Sequence, residues 1–297
     1  MKKSSALSRS FLVSWAAGGV VSVLFALWGC AQAQTPAAES PAPPAASASA
    51  AAPATSAVPA SNPAPAAVAP SRADYAAVVS APDRSPEDRA LDAGRHPSEL
   101  LAFIGVRPGM KIAELAAGGG YSAELFARAV GPSGVVYGQN PKLILERYAE
   151  KPWSARLEKP IMKNVVRVDR EFDDPLPPEA KNLDVVLMNL FYHDTVWMKV
   201  DRARMNQAIY QALKPGGVFV VIDHSAKAGT GLADVETLHR IEEPVLRAEI
   251  EKAGFKLVRE SNVWRVPGDT RDWSTSPRVA GERRGTSDRF ALVYARP

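Results

Sequence analysis

From Lys111 onward the chain alternates in a way that few folds can accommodate. Short apolar runs at 111–115, 135–139, 165–168, 183–189 and 218–223 are separated by stretches of helical periodicity at 121–130, 141–150 and 196–213. In the last of these, Met205, Ile209, Ala212 and Leu213 fall on one face. Strands separated by helices pair parallel through right-handed crossovers, which predicts an open sheet covered on both sides. The pattern changes after a further helix at 241–253. Runs at 256–264 and 289–294 follow with no helix signal between them, so they are expected to pair antiparallel. Upstream, Ser85-Pro86-Glu87-Asp88 supplies an N-cap, a first-turn proline and a carboxylate three residues after the cap. Pro97-Ser98-Glu99 opens a second helix to Ile104, and Gly109 breaks the chain before the first strand.

Glu114-Leu115-Ala116-Ala117-Gly118-Gly119-Gly120-Tyr121 lies where the first strand turns into a helix. Glycine there lets a ligand approach the backbone and permits turn conformations that a Cβ disfavours. The helix start offers its positive end to a carboxylate or phosphate. A tight turn with no ligand would have the same composition.

Three further segments join this one: Val135-Val136-Tyr137-Gly138 followed by Gln139-Asn140, the run Leu213-Lys214-Pro215-Gly216-Gly217-Val218, and the terminal strand pair. With them the chain resembles a class I S-adenosylmethionine-dependent methyltransferase, and more closely the exported "predicted methyltransferase" group of bacterial proteins. The resemblance spans about 90–295. It implies an α/β, Rossmann-like methyltransferase fold with a seven-stranded sheet in the order 3-2-1-4-5-7-6, an antiparallel last strand and helices on both faces. It also implies S-adenosyl-L-methionine as cofactor and methyl transfer to a small-molecule acceptor.

Carried over by position, Gly118 and Gly120 face the methionine part of the cofactor, with Gly119 between them. Glu114 sits near its ammonium or anchors the loop backbone. Asn140 stands where the family has an Asp or Glu holding the ribose hydroxyls. Asn189 and Tyr121 complete the set, Tyr121 being equally a packing residue. Asp169 is an adenine contact or a solvated carboxylate. Two positions depart from the family: Asn140 is a neutral acceptor, weaker than a charged one, and Ala116 replaces the first glycine of the triplet. Both are compatible with weak cofactor binding or a different ligand, and so with an alternative reading as an exported, non-catalytic binding module.

In such sheets ligands collect at the carboxyl ends of the strands. The fourth strand ends in Met188-Asn189-Leu190-Phe191-Tyr192-His193-Asp194 and the fifth in Ile222-Asp223-His224-Ser225. Two of the four histidines, each beside an Asp, would stand on one rim. His193 or His224, with Asp194 and Asp223, then reads as a general base for an acceptor that must lose a proton. The same residues read as a divalent-metal site, although no fixed spacing selects a metal and none is assigned, or as histidines hydrogen-bonded to loop backbone. His96 is structural or folds over the site, and His239 falls on a helix surface. The stretch 265–288, mixed in charge, is a substrate lid or a disordered loop.

The first 34 residues read as an export signal: Lys2, Lys3 and Arg9 precede an apolar run at 11–28. Leu27-Trp28-Gly29-Cys30 resembles a lipobox with Cys30 as lipid attachment point, and Ala31-Gln32-Ala33 fits ordinary signal cleavage. An uncleaved anchor is the third reading. Residues 35–71 hold 16 Ala, 9 Pro and 6 Ser and form a low-complexity linker, leaving 72–297 as the folded domain. The expected location is the periplasm or cell envelope, with the N-terminus as a membrane tether. The cofactor is made in the cytoplasm, a tension that the binding-module reading removes. The formal charge of +4 includes the three basic residues of the signal and gives no basis for nucleic-acid binding. One cysteine excludes an intramolecular disulfide framework and a Cys-rich zinc site.

Overall fold

The computed structural model describes residues 75–297; the predicted signal, Cys30 and the linker lie outside the described residues. A short helix α1 (Ala76–Ser80) leads into α2 (Pro86–Arg95) and α3 (Pro97–Ile104). Ser85 caps α2 by accepting the Asp88 N–H at 3.1 Å. His96, at φ 51, ends α2 in the left-handed region and turns the chain into Pro97.

The alternating part follows as β1 (Lys111–Leu115), α4 (Tyr121–Val130), β2 (Val135–Asn140), α5 (Lys142–Ile144), a π turn (Leu145–Ala149), α6 (Glu150–Leu157), β3 (Val165–Asp169) and β4 (Leu183–Asn189). Then come α7 (Asp194–Trp197), α8 (Arg202–Ala212), β5 (Leu213–His224), α9 (Glu243–Lys252), β6 (Lys256–Ser261) and β7 (Arg289–Ala295).

The seven strands form one sheet in the order β3-β2-β1-β4-β5-β7-β6, parallel from β3 through β5 and antiparallel across β5–β7–β6. Period-two alternation divides the core between its faces. Ile112, Val185, Leu187, Val220 and Ile222 pack under α4 with Phe126 and Trp153. Ala113, Leu115, Val186, Met188 and Val221 pack under α8 and α9 with Met205, Ile209, Leu246 and Ile250.

Three elements differ from the sequence expectation. The helix expected to end at 150 continues to Leu157. Pro152 cannot donate a backbone hydrogen bond, and the wider π turn just before α6 accommodates it. The helix expected over 196–213 is two helices, broken where Lys199 takes φ 57 and restarted where Asp201 accepts the Arg204 N–H at 3.0 Å. The fifth strand begins at Leu213, and its Lys-Pro-Gly-Gly segment is a bulge beside β4.

Candidate functional site

The loop after β1 is held in place from β2. Gln139 Oε1 accepts the Ala116 N–H at 3.0 Å, and the Gln139 carbonyl accepts the Ala117 N–H at 2.9 Å. Asn140 Oδ1 accepts the Gly118 N–H at 2.8 Å while its Nδ2 donates to the Gly118 carbonyl at 3.1 Å. This corrects the expected ribose role of Asn140. The side chain is buried and both ends of its amide bond to the Gly118 peptide, so it is turned toward the loop rather than toward a ribose hydroxyl. It also gives the substitution a cause, because a carboxylate could accept but not donate.

The three glycines differ in what they face. A Cβ on Gly118, at φ 56, would meet nothing within 4 Å. One on Gly119 would just touch Pro152, at 3.4 Å. One on Gly120 would lie 2.3 Å from the Trp153 ring, and the same ring stands 2.6 Å from the Cβ position of Gly138. Gly120 therefore makes room for Trp153 rather than for a ligand, which corrects its placement against the methionine part. The open face of the turn belongs to Gly118.

Two opposite charges flank this turn. Glu114 is buried near the end of β1, beside the Ser122 hydroxyl and the Ala123 N–H at the start of α4, whose pull lowers its carboxyl pKa. Its Oε2 has no hydrogen-bond partner among the described residues. Burial pushes its carboxyl up to about 7, against that pull and that of Arg95. Arg95, at the end of α2, lies over the Tyr121 ring at 4.5 Å, and its guanidinium has no hydrogen-bond or ion-pair partner among the described residues. Tyr121 is fixed by donating to Asp92 at 2.6 Å, and Asp92 is paired with Arg84. Tyr121 thus presents its face to Arg95 and its hydroxyl to α2. Asp169 is exposed and held by Arg167 Nε at 2.9 Å, a solvated ion pair on β3. Asn189 is half-buried at the end of β4, and its side chain has no hydrogen-bond partner among the described residues.

The rim brings His193, Asp194, Asp223 and His224 together. The fully buried Asp223 accepts the His193 N–H at 2.8 Å, the His224 N–H at 2.8 Å and the His193 ring Nδ1 at 2.7 Å. His193 Nε2 lies 3.2 Å from Asp194 Oδ1. Burial disfavours a charge on His193, but the Asp223 and Asp194 carboxylates outweigh it and push the imidazole up to about 10. In that protonated form it has no lone pair to take a proton, so as a base it is the weaker candidate of the two rim histidines.

His224 is the opposite case. Burial, then the neighbouring His193 charge, Arg289 and Arg240 hold its pKa well below 6.5. Its Nδ1 is 2.7 Å from Ser287 Oγ, and its Nε2 has no partner among the described residues. His224 is therefore neutral and half-buried.

His239 is not on a helix surface. It follows a run of turns, at φ 51, with Nδ1 2.9 Å from Asp194 Oδ1 and its ring 5.5 Å from that of His193. Nothing in the sequence marks it, since 45 residues separate it from Asp194. Arg95 was also missed, although its neighbour His96 had been considered as a cover for the site. His96 itself packs edge-on to Trp264 at 6.4 Å. The segment 265–288 is folded onto the domain. The buried Asp269 accepts from Arg240 at 2.8 Å, from Trp273 Nε1 at 2.7 Å and from the Asp288 N–H at 2.7 Å.

No family model matches the chain. Among solved structures, it is similar to a chain of the complex between the Haloferax volcanii Trm112 methyltransferase activator and its candidate methyltransferase. The match has 17% identity and a TM-score of 0.51, and covers 75% of this chain and 98% of that one. It is also similar to a candidate sarcosine dimethylglycine methyltransferase from Galdieria sulphuraria, at 15% identity and TM-score 0.51, over 71% of this chain and 86% of that one. At such identities the likeness concerns the fold: the sheet is that of the Rossmann-like methyltransferases.

Proposed function

We propose that the chain binds S-adenosyl-L-methionine against the Gly118 turn and transfers its methyl group to a small-molecule acceptor at the β4–β5 rim. The observation that carries this is the pair of uncompensated charges beside the turn. Among the described residues the Arg95 guanidinium meets the Tyr121 ring but no hydrogen-bond or ion-pair partner, Glu114 has an unpartnered, buried carboxylate oxygen, and each feels the other's charge without forming an ion pair. A buried charged group without a partner is costly. An α-amino acid zwitterion offers both missing partners, so the residues present fit the methionine end of that cofactor. Arg95 would hold the carboxylate, Glu114 the ammonium and the Gly118 backbone the chain between them. The ribose end falls to Asn189 and the loop carbonyls, since Asn140 is committed to the loop.

When bound, the cofactor supplies an electrophilic methyl on sulfur, transferred by in-line displacement, for which alignment is the main catalytic requirement. The turn clamped by Gln139 and Asn140 provides a fixed platform for that alignment. In the tautomer that donates Nδ1–H to Ser287, His224 carries a lone pair on Nε2 for the acceptor's proton. A weak base suffices, because an oxygen or nitrogen acceptor becomes far more acidic as the new bond forms. The fixed charge on His193 keeps His224 from retaining that proton.

Calorimetry on the full chain with S-adenosylmethionine and its demethylated product tests the reading. Only ionised Glu114 can pair with the ammonium, and its pKa lies at about 7. Affinity is therefore expected to rise with pH by up to about tenfold per unit below neutrality, flatten above it, and release a proton. Glu114→Gln is expected to bind at least about tenfold more weakly with a flat pH profile. No heat and no thermal shift at millimolar ligand would overturn the proposal.

A further inference from the structure

We propose that His193, Asp194 and His239 form a binding site for one divalent transition-metal ion. The first ground is spacing. Candidate ligand atoms of all three residues lie within 4.8 Å of one another. Asp194 Oδ1 is 3.2 Å from His193 Nε2 and 2.9 Å from His239 Nδ1. An ion bonded at about 2.0–2.2 Å places neighbouring donors roughly 3.0–3.4 Å apart, between octahedral and tetrahedral angles. The two pairs that share Asp194 Oδ1 already stand near that spacing, and the two imidazoles lie within 4.8 Å, although the donors come from two separate stretches of chain.

The second ground is crowding on one oxygen. Asp194 Oδ1 is approached by three nitrogens: His193 Nε2, His239 Nδ1 and, at 2.7 Å, Trp197 Nε1. A carboxylate oxygen has about two acceptor sites. Three donors on it are one too many, but two of them are imidazole nitrogens that can present lone pairs instead. A cation among these three donors resolves the crowding, and the Trp197 N–H then remains to orient the carboxylate.

The third ground is the support behind the donors. Histidines that bind metals generally donate their other ring N–H to a carboxylate. His193 does this with the buried Asp223, at 2.7 Å. His239 is held in the left-handed region, at φ 51, by its surroundings: the Thr275 hydroxyl donates to its carbonyl at 2.7 Å and the Thr275 N–H to the preceding carbonyl, of Leu238, at 2.9 Å. Such a conformation costs on the order of 1 kcal/mol or more and persists where the surroundings fix it. Side-chain exposure rises from 3% at His193 through 14% at Asp194 to 25% at His239, so an ion can enter from the His239 side.

Two imidazoles and one carboxylate, with no thiolate, suit Zn²⁺, Co²⁺, Mn²⁺ or Fe²⁺. They do not suit Ca²⁺ or Mg²⁺, which take oxygen ligands. Three protein ligands leave a position open to water or to another donor. The ion replaces the proton on His193 Nε2, and binding therefore releases protons.

The test uses the untagged full chain, stripped with chelator and titrated with Co²⁺ and then Zn²⁺, without any adenosyl ligand. One saturating equivalent of Co²⁺ is expected, visible as ligand-field absorption and displaced by Zn²⁺. His239→Ala and Asp194→Asn are expected to lose at least about tenfold in affinity, and His96→Ala none. Thermal melts of the chelated variants confirm that each is folded; should Asp194→Asn fail to fold, His239→Gln replaces it. Absence of a saturable signal, or equal affinity in His239→Ala, would overturn the site. No adenosyl ligand is present, so this result is separate from that of the cofactor titration.

Discussion

Asn140 shows how one side chain can change the meaning of a familiar position. A carboxylate at the end of the second strand would face outward for a diol, whereas this amide faces inward and closes a two-way bond with Gly118. Asn140→Asp would replace the donor 3.1 Å from the Gly118 carbonyl with a second acceptor in a buried place. Two acceptors without a proton between them repel, and a buried charge adds to the cost. The expected loss of stability is about 2–4 kcal/mol at pH 8. It should shrink toward pH 5, where the carboxyl can take a proton and regain a donor. Calorimetric melts at the two pH values check both magnitude and sign. A variant as stable as the parent that binds the adenosyl ligand more tightly would return Asn140 to the ribose. The substitution itself was legible in the sequence, but its direction was not, because a departure from pattern does not show which way the side chain turns.

Among the elements, the helical stretch between the second and third strands decides what the glycines mean. The six-membered ring of Trp153 fills the space of the missing Cβ atoms of Gly120 and Gly138, and Arg156 adds its aliphatic stem against Gly120. Gly120→Ala is expected to cost about 3 kcal/mol or more, since the added carbon would lie 2.3 Å from the indole at a φ of 83. Gly118→Ala meets open space and bears only the left-handed backbone cost of about 1–2 kcal/mol. Yet it should abolish most adenosyl-ligand binding, because the new methyl stands on the face left open. Melts and titrations of the two variants should therefore separate, one failing in stability and the other in binding. The strands were legible because buried parallel strands are written as near-continuous apolar runs, as in 185–188 and 218–222. Helix ends were less so: the periodicity read from 141 stopped at 150, whereas a π turn carries the helix past Pro152 to Leu157, and nothing marked the break at Lys199.

For the molecule as a whole, the connection between the last two strands fixes the rim rather than covering it. The length of 265–288 suggested a substrate lid or disorder, because a sequence shows how many charges a loop has and not which of them meet. In the fold they meet in pairs. Asp269 takes Arg240 and Trp273, Asp288 takes the Val266 N–H and Arg271, and Arg240 donates onward to the Ser225 carbonyl at 2.9 Å, next to His224. The turn that carries His239 is thereby tied to the end of β5 through its neighbour, Arg240. The Arg240 side chain has no exposure and Asp269 has 1%, so removing one leaves the other buried without its charge partner. Breaking such a pair costs about 3–5 kcal/mol, whereas an exposed pair is worth little. Asp269→Ala is expected to fall in that range by calorimetry and to open the 265–288 segment to limited proteolysis. It is also expected to weaken Co²⁺ binding, although it touches none of the three donors, because His239 loses its fixed seat. Arg167→Ala, which breaks the solvent-facing pairs with Glu150 and Asp169, should change stability by about 1 kcal/mol or less and leave both other readouts unchanged. If Asp269→Ala melted with the parent and resisted the protease, the segment would be a loosely laid cover, and the rim would owe its geometry to the strand ends alone.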